Sequence, residues 1–509
     1  MNDDVHAASR FTEYSYRVLL LAIVGSYFWV HTTLGLEYPI PWPDEGSFLW
    51  PALSIQKHNT LLAPELNPYR PVMWFPPGYM IVQGLIFKVT GFSLQWARTL
   101  SAVYIMAGAA LLAAVLKRLR HPVLNLLLCA VFLHSPIVWF VGNVARMESL
   151  IFLLASAGLL ALQRGRIYVG LAVIALLPLI HANGLFFCLG AGVYFLVIAW
   201  RDSSKLRPSR LDVIVVGLAL ISWLLYVAYV FVYWEAFLND MGYALRFKRF
   251  VSGEAGGVLA RAKSPEGMIP GISIAMGLIY ATRAALPALF LLVYAAPLLL
   301  LSVSHIGWPY DIYAAFMYLL LSVILLEVGT HHMGRALRLE SGVPRRALVV
   351  TGFLIIAGFD CWALRNLRLL SDTPAISTVR PEGSSDVPYF TGSDDEAVRQ
   401  FLRSLESSGP ASVVFYPWAD ALLFHDMESE NLRLMQPTFH EGHADVQIVH
   451  QSRHIPGWVV ERMQHQIVSQ QGIHRNLDQW EIIRSRDGTE FWRYNRRADI
   501  SPPASERSS

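Results

Sequence analysis

Residues 211–233 read LDVIVVGLALISWLLYVAYVFVY, 23 residues with one charged side chain, Asp212, at the start. A helix needs about 20 mostly apolar residues to cross the hydrocarbon of a bilayer, and this run has that length without interruption. Comparable runs recur at 18–36, 99–116, 122–141, 147–162, 167–181, 184–200, 267–282, 284–304, 310–328 and 347–364, so the chain carries about 11 candidate spans. The composition agrees with them. Of 509 residues 54% are hydrophobic and only 16% charged, where soluble chains carry about 25% charged residues, and the mean hydropathy is +0.40. A soluble enzyme, a secreted disulfide scaffold and a disordered chain are excluded on these grounds. With 41 basic against 38 acidic residues there is no cationic field for nucleic acid. Cys129, Cys188 and Cys361 lie in or beside apolar runs and make neither a disulfide framework nor a spaced zinc site. The fold class is an all-α polytopic membrane protein.

Short loops set the direction, because basic residues concentrate on the cytoplasmic side. With the N-terminus inside, cytoplasmic stretches hold Arg10 and Arg17, then Lys117, Arg118 and Arg120, then Arg164 and Arg166. Arg201, Lys205, Arg207 and Arg210 follow, then Arg283, then Arg335, Arg338, Arg345 and Arg346. The first span is read as an uncleaved anchor, since no small-residue cleavage site follows it. The outer face then carries a long first loop (37–98), a middle loop (234–266) with Arg246, Lys248 and Arg249, and everything after about 365. This places a multi-pass protein in a membrane read as the bacterial inner membrane, its C-terminal domain extracytoplasmic.

Three parts follow: a transmembrane domain over 1–365, an α/β domain over 371–497 and a disordered tail over 498–509. Within the first, 76–90 is apolar but short for a span and reads as an interfacial helix. A second such helix is expected over 44–57, with Phe48, Leu49, Ala52, Leu53 and Ile55 on an apolar side and Ser47, Ser54, Gln56 and Lys57 on a polar one. In the C-terminal part a helix is expected over 394–407, opened by Ser393 and Glu396 as a capping box. Strands are expected at 412–416 and 446–450, and a hairpin pairs 482–484 with 490–494 around Asp487-Gly488.

Ionisable residues in or beside a membrane are functional candidates, and four groups stand out. Asp44 and Glu45, in Pro43-Asp44-Glu45-Gly46, suit a general base or a divalent cation; capping of a helix N-terminus explains them equally. Arg146 and Glu148, between two spans, suit a phosphate and the group orienting it; the alternative is a solvated pair worth little. His181-Ala182-Asn183-Gly184 interrupts an apolar run, either lining a wet cavity or making a tight turn. His305, Tyr310, Asp311 and Tyr313 form either a site or an aromatic belt. The C-terminal histidines, His440 and His443 among them, have irregular spacing that argues against zinc.

The pattern resembles the GT-C integral-membrane glycosyltransferases, in particular the protein O-mannosyltransferase-like and lipid A aminoarabinose transferase-like superfamily. The likeness lies in Asp44-Glu45 beyond the first span and in Trp74-Phe75-Pro76-Pro77-Gly78-Tyr79, where Phe75 replaces a basic residue. Arg98 before the second span, Arg146-Met147-Glu148 with Met147 in place of Pro, the 181–184 break and Trp308-Pro309-Tyr310 continue it. It covers roughly 1–330. The resemblance implies transfer of a sugar from a polyprenyl-phosphate donor to a glycan, lipid or protein acceptor outside the cytoplasm. It implies Asp44 as the catalytic carboxylate with Glu45 supporting it, Arg146 on the departing phosphate, and Glu148, His181, Asn183 and Tyr310 lining the sugar or acceptor pocket. It leaves open a divalent cation, Mg or Mn, on Asp44 and Glu45. Two other readings compete: a polysaccharide or lipid-carrier transporter or flippase, which would need broken or charged helices at mid-bilayer, and a non-catalytic envelope assembly factor.

Overall fold

Apolar runs become helices because a backbone in lipid must satisfy its own hydrogen bonds. The computed structural model of this chain describes residues 2–34, 43–201, 206–242, 311–329, 337, 342–370, 392–416, 418–435, 446–449, 480–484 and 490–494. The expected spans at 267–282 and 284–304, Tyr310, His305, most of the middle loop and the 498–509 tail lie outside them. The helices are α1 (Asn2–Leu34), α2 (Pro43–His58), α3 (Gly78–Thr90), α4 (Leu94–Leu116), α5 (Pro122–Leu133), α6 (Pro136–Asn143), α7 (Met147–Gln163), α8 (Ile167–Ala175), α9 (Gly184–Arg201), α10 (Arg210–Val232), α11 (Asp311–Ile324), α12 (Val343–Leu370) and α13 (Gly392–Ser408). Among the described residues α4, α9 and α10 are each long and apolar enough to cross a membrane, and α5 with α6 would make a fourth.

Two expected spans are broken. The run 122–141 divides into α5 and α6, whose axes differ by 63°. Pro136 supplies the reason: it lacks an N–H and disfavours helix at the residue before it, and Ser135 is extended (φ −69°, ψ 146°). The run 167–181 holds only the nine residues of α8, about 14 Å of rise, and then a 3-10 turn at Leu177–Leu179 around Pro178.

The chain divides into two compact units, one of residues 1–36, 73–79 and 98–373, the other of 37–72, 80–97 and 374–509. In this grouping most of the first outer loop falls with the C-terminal residues. In the first unit a cluster of Phe132, Phe152 and Phe316, with ring centroids 5.1–5.8 Å apart, joins α5, α7 and α11. Polar groups in this apolar setting find backbone acceptors: Tyr16 donates to the Ala113 carbonyl (2.6 Å), and Trp223 Nε1 to that of Ala175 (2.8 Å). Along α10, Val213, Ile214, Leu218, Leu224 and Leu225 are exposed, a surface suited to lipid.

The second unit contains α2, α3 from Met80, α13, a 3-10 segment Trp418–Met427 and a five-stranded sheet. Its strands β1 (Ala411–Tyr416), β2 (Leu432–Met435), β3 (Val446–Val449), β4 (Trp480–Arg484) and β5 (Glu490–Tyr494) run in the order β2-β1-β3-β5-β4. β1 is parallel to β2 and β3, with Val413 opposite Leu434 and Val446, whereas β5 is antiparallel to β3 and β4. Helix α2 packs on the 3-10 segment, where the Phe92 ring meets His425 edge-on at 4.8 Å. Burial pulls the His425 ring below the usual histidine range, partly opposed by its hydrogen bond with the Leu422 carbonyl.

Both loop helices exist, but their faces differ from expectation. From Glu45 to Ile55 every residue of α2 is buried, Ser47 and Ser54 included, so it has no polar outward side there. On α3 the buried residues Tyr79, Met80, Gln83 and Phe87 leave Ile81, Leu85 and Val89 as an exposed apolar stripe, the face a helix lying against lipid presents.

Candidate functional site

The start of α7 carries the best-formed polar arrangement of the first unit. Arg146 is the N-cap residue, extended at φ −130° and ψ 158°, and Glu148 occupies the first turn, where a carboxylate is favoured by the helix dipole. Arg146 Nε donates to Glu148 Oε2 at 3.1 Å and Nη2 to Oε1 at 3.0 Å. The side chains are 1% and 0% exposed, so the solvated-pair reading is corrected: this is a buried, two-pronged ion pair. Ser149 Oγ bonds the Arg146 carbonyl at 2.9 Å and steadies the turn. The arrangement fixes the plane of the guanidinium, which is what recognition of a planar or tetrahedral oxyanion requires.

The 181–184 break is a tight reversal. The His181 amide returns to the Leu177 carbonyl (3.0 Å) and the Gly184 amide to that of His181 (2.8 Å). Glycine is required at 184 because a Cβ there would lie 2.3 Å from the Leu177 carbonyl carbon. His181 and Asn183 are buried, and the Asn183 amide donates to His181 Nδ1 at 3.1 Å. That bond makes Nδ1 an acceptor and puts the ring proton on Nε2.

Against this reversal lies Met73–Tyr79. The Phe75 ring stacks on His181 (5.7 Å) and Trp74 stacks on Phe75 (5.4 Å, planes 4° apart). Gly78 abuts the Leu179 carbonyl so closely that a Cβ would sit 2.4 Å from its oxygen. At the other end the Met73 amide donates to Asp240 Oδ2 at 2.6 Å. Phe75, which departs from the basic residue of the resembled family, thus serves as an aromatic lid on His181.

Asp240 is a residue the sequence reading missed, placed in a loop when it lies in the helical stretch 234–242 and is 4% exposed. His31 in the last turn of α1 and Asn143 at the end of α6 are likewise buried. A polar residue inside or just beyond an apolar run was the available signal for all three.

The acidic pair Asp44-Glu45 falls in the first turn of α2, with Glu45 buried; the Asp44 side chain is outside what is described. These two belong to the second compact unit, while Arg146, Glu148, His181 and Asn183 belong to the first. Tyr310 is not among the described residues; Tyr313 is, buried and edge-on to Phe187 at 5.8 Å. Among the described residues no three His, Cys, Asp or Glu side chains converge as a metal site.

No protein-family model matches the chain, and neither does any curated protein. Among solved structures it is similar to ArnT from Cupriavidus metallidurans bound to undecaprenyl phosphate, with 14% identity, 94% of this chain and 98% of that chain covered, and a TM-score of 0.44. It is similar also to ArnT from the same organism in the apo state, with 14% identity, coverage of 96% and 100%, and a TM-score of 0.43.

Proposed function

We propose that this chain is a polyprenyl-phosphate-dependent glycosyltransferase of hexosyl or pentosyl type, moving a sugar to a glycan, lipid or protein acceptor on the extracytoplasmic side. The observation that carries this reading is the buried Arg146–Glu148 pair at the head of α7. A guanidinium held in one plane suits the phosphate of a sugar donor, and the alternation of basic loops, which favours a site outside the cytoplasm, supports a lipid-linked donor over a soluble cytoplasmic nucleotide.

In the proposed reaction Asp44 accepts the proton of the acceptor hydroxyl as its oxygen attacks the anomeric carbon. The bond from that carbon to the donor phosphate breaks, and polyprenyl phosphate leaves with the electron pair. Arg146 stabilises the charge developing on the leaving phosphate, a large catalytic contribution in a low-dielectric site, and Glu148 holds Arg146 in orientation. Glu45 supports Asp44. His181, capped by Phe75, presents Nε2–H to a sugar or acceptor hydroxyl; Asn183 and Tyr310 complete the pocket. A divalent cation, Mg or Mn, would be held by Asp44 and Glu45 and would further neutralise the phosphate. The basic-loop alternation supports a cytoplasmic N-terminus and an extracytoplasmic C-terminal unit.

The test is transfer by the full chain in lipid nanodiscs supplied with a panel of undecaprenyl-phosphate sugars and envelope-lipid acceptors. Asp44→Asn should lower turnover by about 10²–10⁴-fold, the usual worth of a positioned base, with thermal stability unchanged. Full turnover in Asp44→Asn would refute the assignment, and loss on EDTA with recovery on Mg or Mn would place the cation.

A further inference from the structure

Beyond α10 the chain resumes a helical course over 234–242 after a break at Tyr233 (φ −113°, ψ 37°), and the Phe237 amide bonds the Tyr233 carbonyl at 2.9 Å. This stretch is two-sided. Trp234 and Leu238 are exposed, whereas Ala236 and Asp240 are buried; each pair is four residues apart and shares a face. The spacing thus turns a carboxylate inward from a segment whose other side is apolar. Asp240 Oδ2 accepts from the Met73 amide at 2.6 Å, a short, charge-assisted bond between groups 167 positions apart.

Met73 opens the strap Met73-Trp74-Phe75-Pro76-Pro77-Gly78, which is held at both ends. At the far end a Cβ on Gly78 would lie 2.4 Å from the Leu179 carbonyl oxygen, so the strap already touches the 177–184 reversal there. Pro76 and Pro77 fix two φ angles and keep the residue before each of them extended. Little torsional freedom is left between the two anchors to absorb a shift at either one. Between them the Trp74 ring stacks on Phe75 (5.4 Å) and Phe75 on His181 (5.7 Å). Two contacts therefore orient the His181 ring. The Asn183 amide at Nδ1 (3.1 Å) is local to the reversal, and the Phe75 face belongs to the strap.

We propose that Asp240 is a positioning residue for His181: its hold on the Met73 amide sets Phe75 against the imidazole and so fixes the tilt of that ring.

Without the Asp240 carboxylate, the buried Met73 amide must find another acceptor, and the strap must move for it to do so. Phe75 is two residues away, so the movement reaches the stacked imidazole. The bond at Nδ1 survives, which preserves the tautomer while the tilt is lost. Such an error acts on turnover more than on donor affinity, and a misplacement of about 1 Å costs about 10²-fold. That His181 meets a substrate hydroxyl rests on the proposed function; the connection from Asp240 through the strap to His181 does not.

Hydrogen exchange of the intact chain in nanodiscs, read by mass spectrometry, tests the connection without any substrate. Asp240→Ala should speed exchange about tenfold in peptides covering 73–79 and 181–184, the equivalent of one lost hydrogen bond, and leave α4 peptides unchanged. Asp240→Asn keeps an acceptor oxygen and should lie close to wild type. Phe75→Leu, which leaves the Asp240 bond intact, should speed exchange at 181–184 alone. Unchanged exchange at 73–79 in Asp240→Ala, a rise there with none at 181–184, or a parallel rise in α4 would overturn the proposal, as would a silent Phe75→Leu. In the transfer assay Asp240→Ala should lower kcat about 10²-fold with KM little changed, and Asp240→Asn should recover most of that loss. In a His181→Ala background the same Asp240→Ala change should cost almost nothing, because the ring it positions is gone; an equal loss in both backgrounds would count against positioning. If the wild type transfers no sugar, the proposed function fails and the exchange measurements still decide the role of Asp240.

Discussion

Glu327→Gln removes one acceptor oxygen from a carboxylate that ties two parts of the helical unit together. Glu327 sits in the wide turn Leu325–Gly329 after α11 and is 8% exposed. Its Oε1 accepts from the His121 amide at 2.9 Å and from Asn125 Nδ2 at 2.8 Å, and its Oε2 accepts from the Arg120 amide at 2.9 Å. The carboxylate thus caps the entry to α5, where N–H groups have no intrahelical partner and negative charge is favoured. Hydrogen bonds to a charged group are each worth about 1.5–3 kcal/mol. The glutamine amide keeps one oxygen and points a donor at another donor, so one or two bonds are lost. We expect a cost of about 2–4 kcal/mol, seen as a fall of roughly 5 °C or more in Tm at about 2 °C per kcal/mol. Glu327→Ala should fall further, and Asn125→Ala should cost less, since it deletes a single bond. Because Asn125 and Glu327 share that bond, their double alanine variant should be little worse than Glu327→Ala. Thermal unfolding in detergent, followed by a thiol-reactive or scattering signal, reads all four. A Tm unchanged within a degree in Glu327→Gln, or full additivity of the alanine pair, would refute the capping account.

Gly78→Ala should lower Tm by several degrees, because its Cβ would press on the Leu179 carbonyl and overpacking costs about 1–3 kcal/mol. Gly25→Ala is the matched control: nothing lies within 4 Å of its Cβ, and alanine in a helix gains about 0.5–1 kcal/mol over glycine, so Tm should hold or rise. Glu148→Gln should cost about 3–5 kcal/mol by stripping a buried guanidinium of its counter-charge, whereas the double variant Arg146→Met/Glu148→Leu should recover much of that loss. The same melting assay decides both, and a double variant less stable than Glu148→Gln would count against a pair whose cost is desolvation.

How far the fold could be read in advance depended on how local its cause was. The loop helices at 44–57 and 76–90 were legible because Pro43 and Pro77 precede apolar stretches of helical length, and both are helical. The strands expected at 412–416 and 490–494 follow β-branched and aromatic runs, and the structure has them at Ala411–Tyr416 and Glu490–Tyr494. The break at 134–136 was also local, carried by Pro136, but hydropathy averaged over the window 122–141 hid it. The acidic residues at 44 and 45 and the polar reversal at 181–184 stood out by the cost of placing such groups near lipid.

Composition and periodicity alone determined that this is a helical membrane protein with a different C-terminal part, because backbone and solvent energetics act residue by residue along the chain. Two things waited for the tertiary structure: that Arg146 and Glu148 are buried together, and that Asp240 holds the backbone of Met73. Each joins groups whose charge and spacing look ordinary in one dimension. Burial and partnership arise only when distant segments close on one another, and in a low-dielectric interior that closure turns an ordinary side chain into a site.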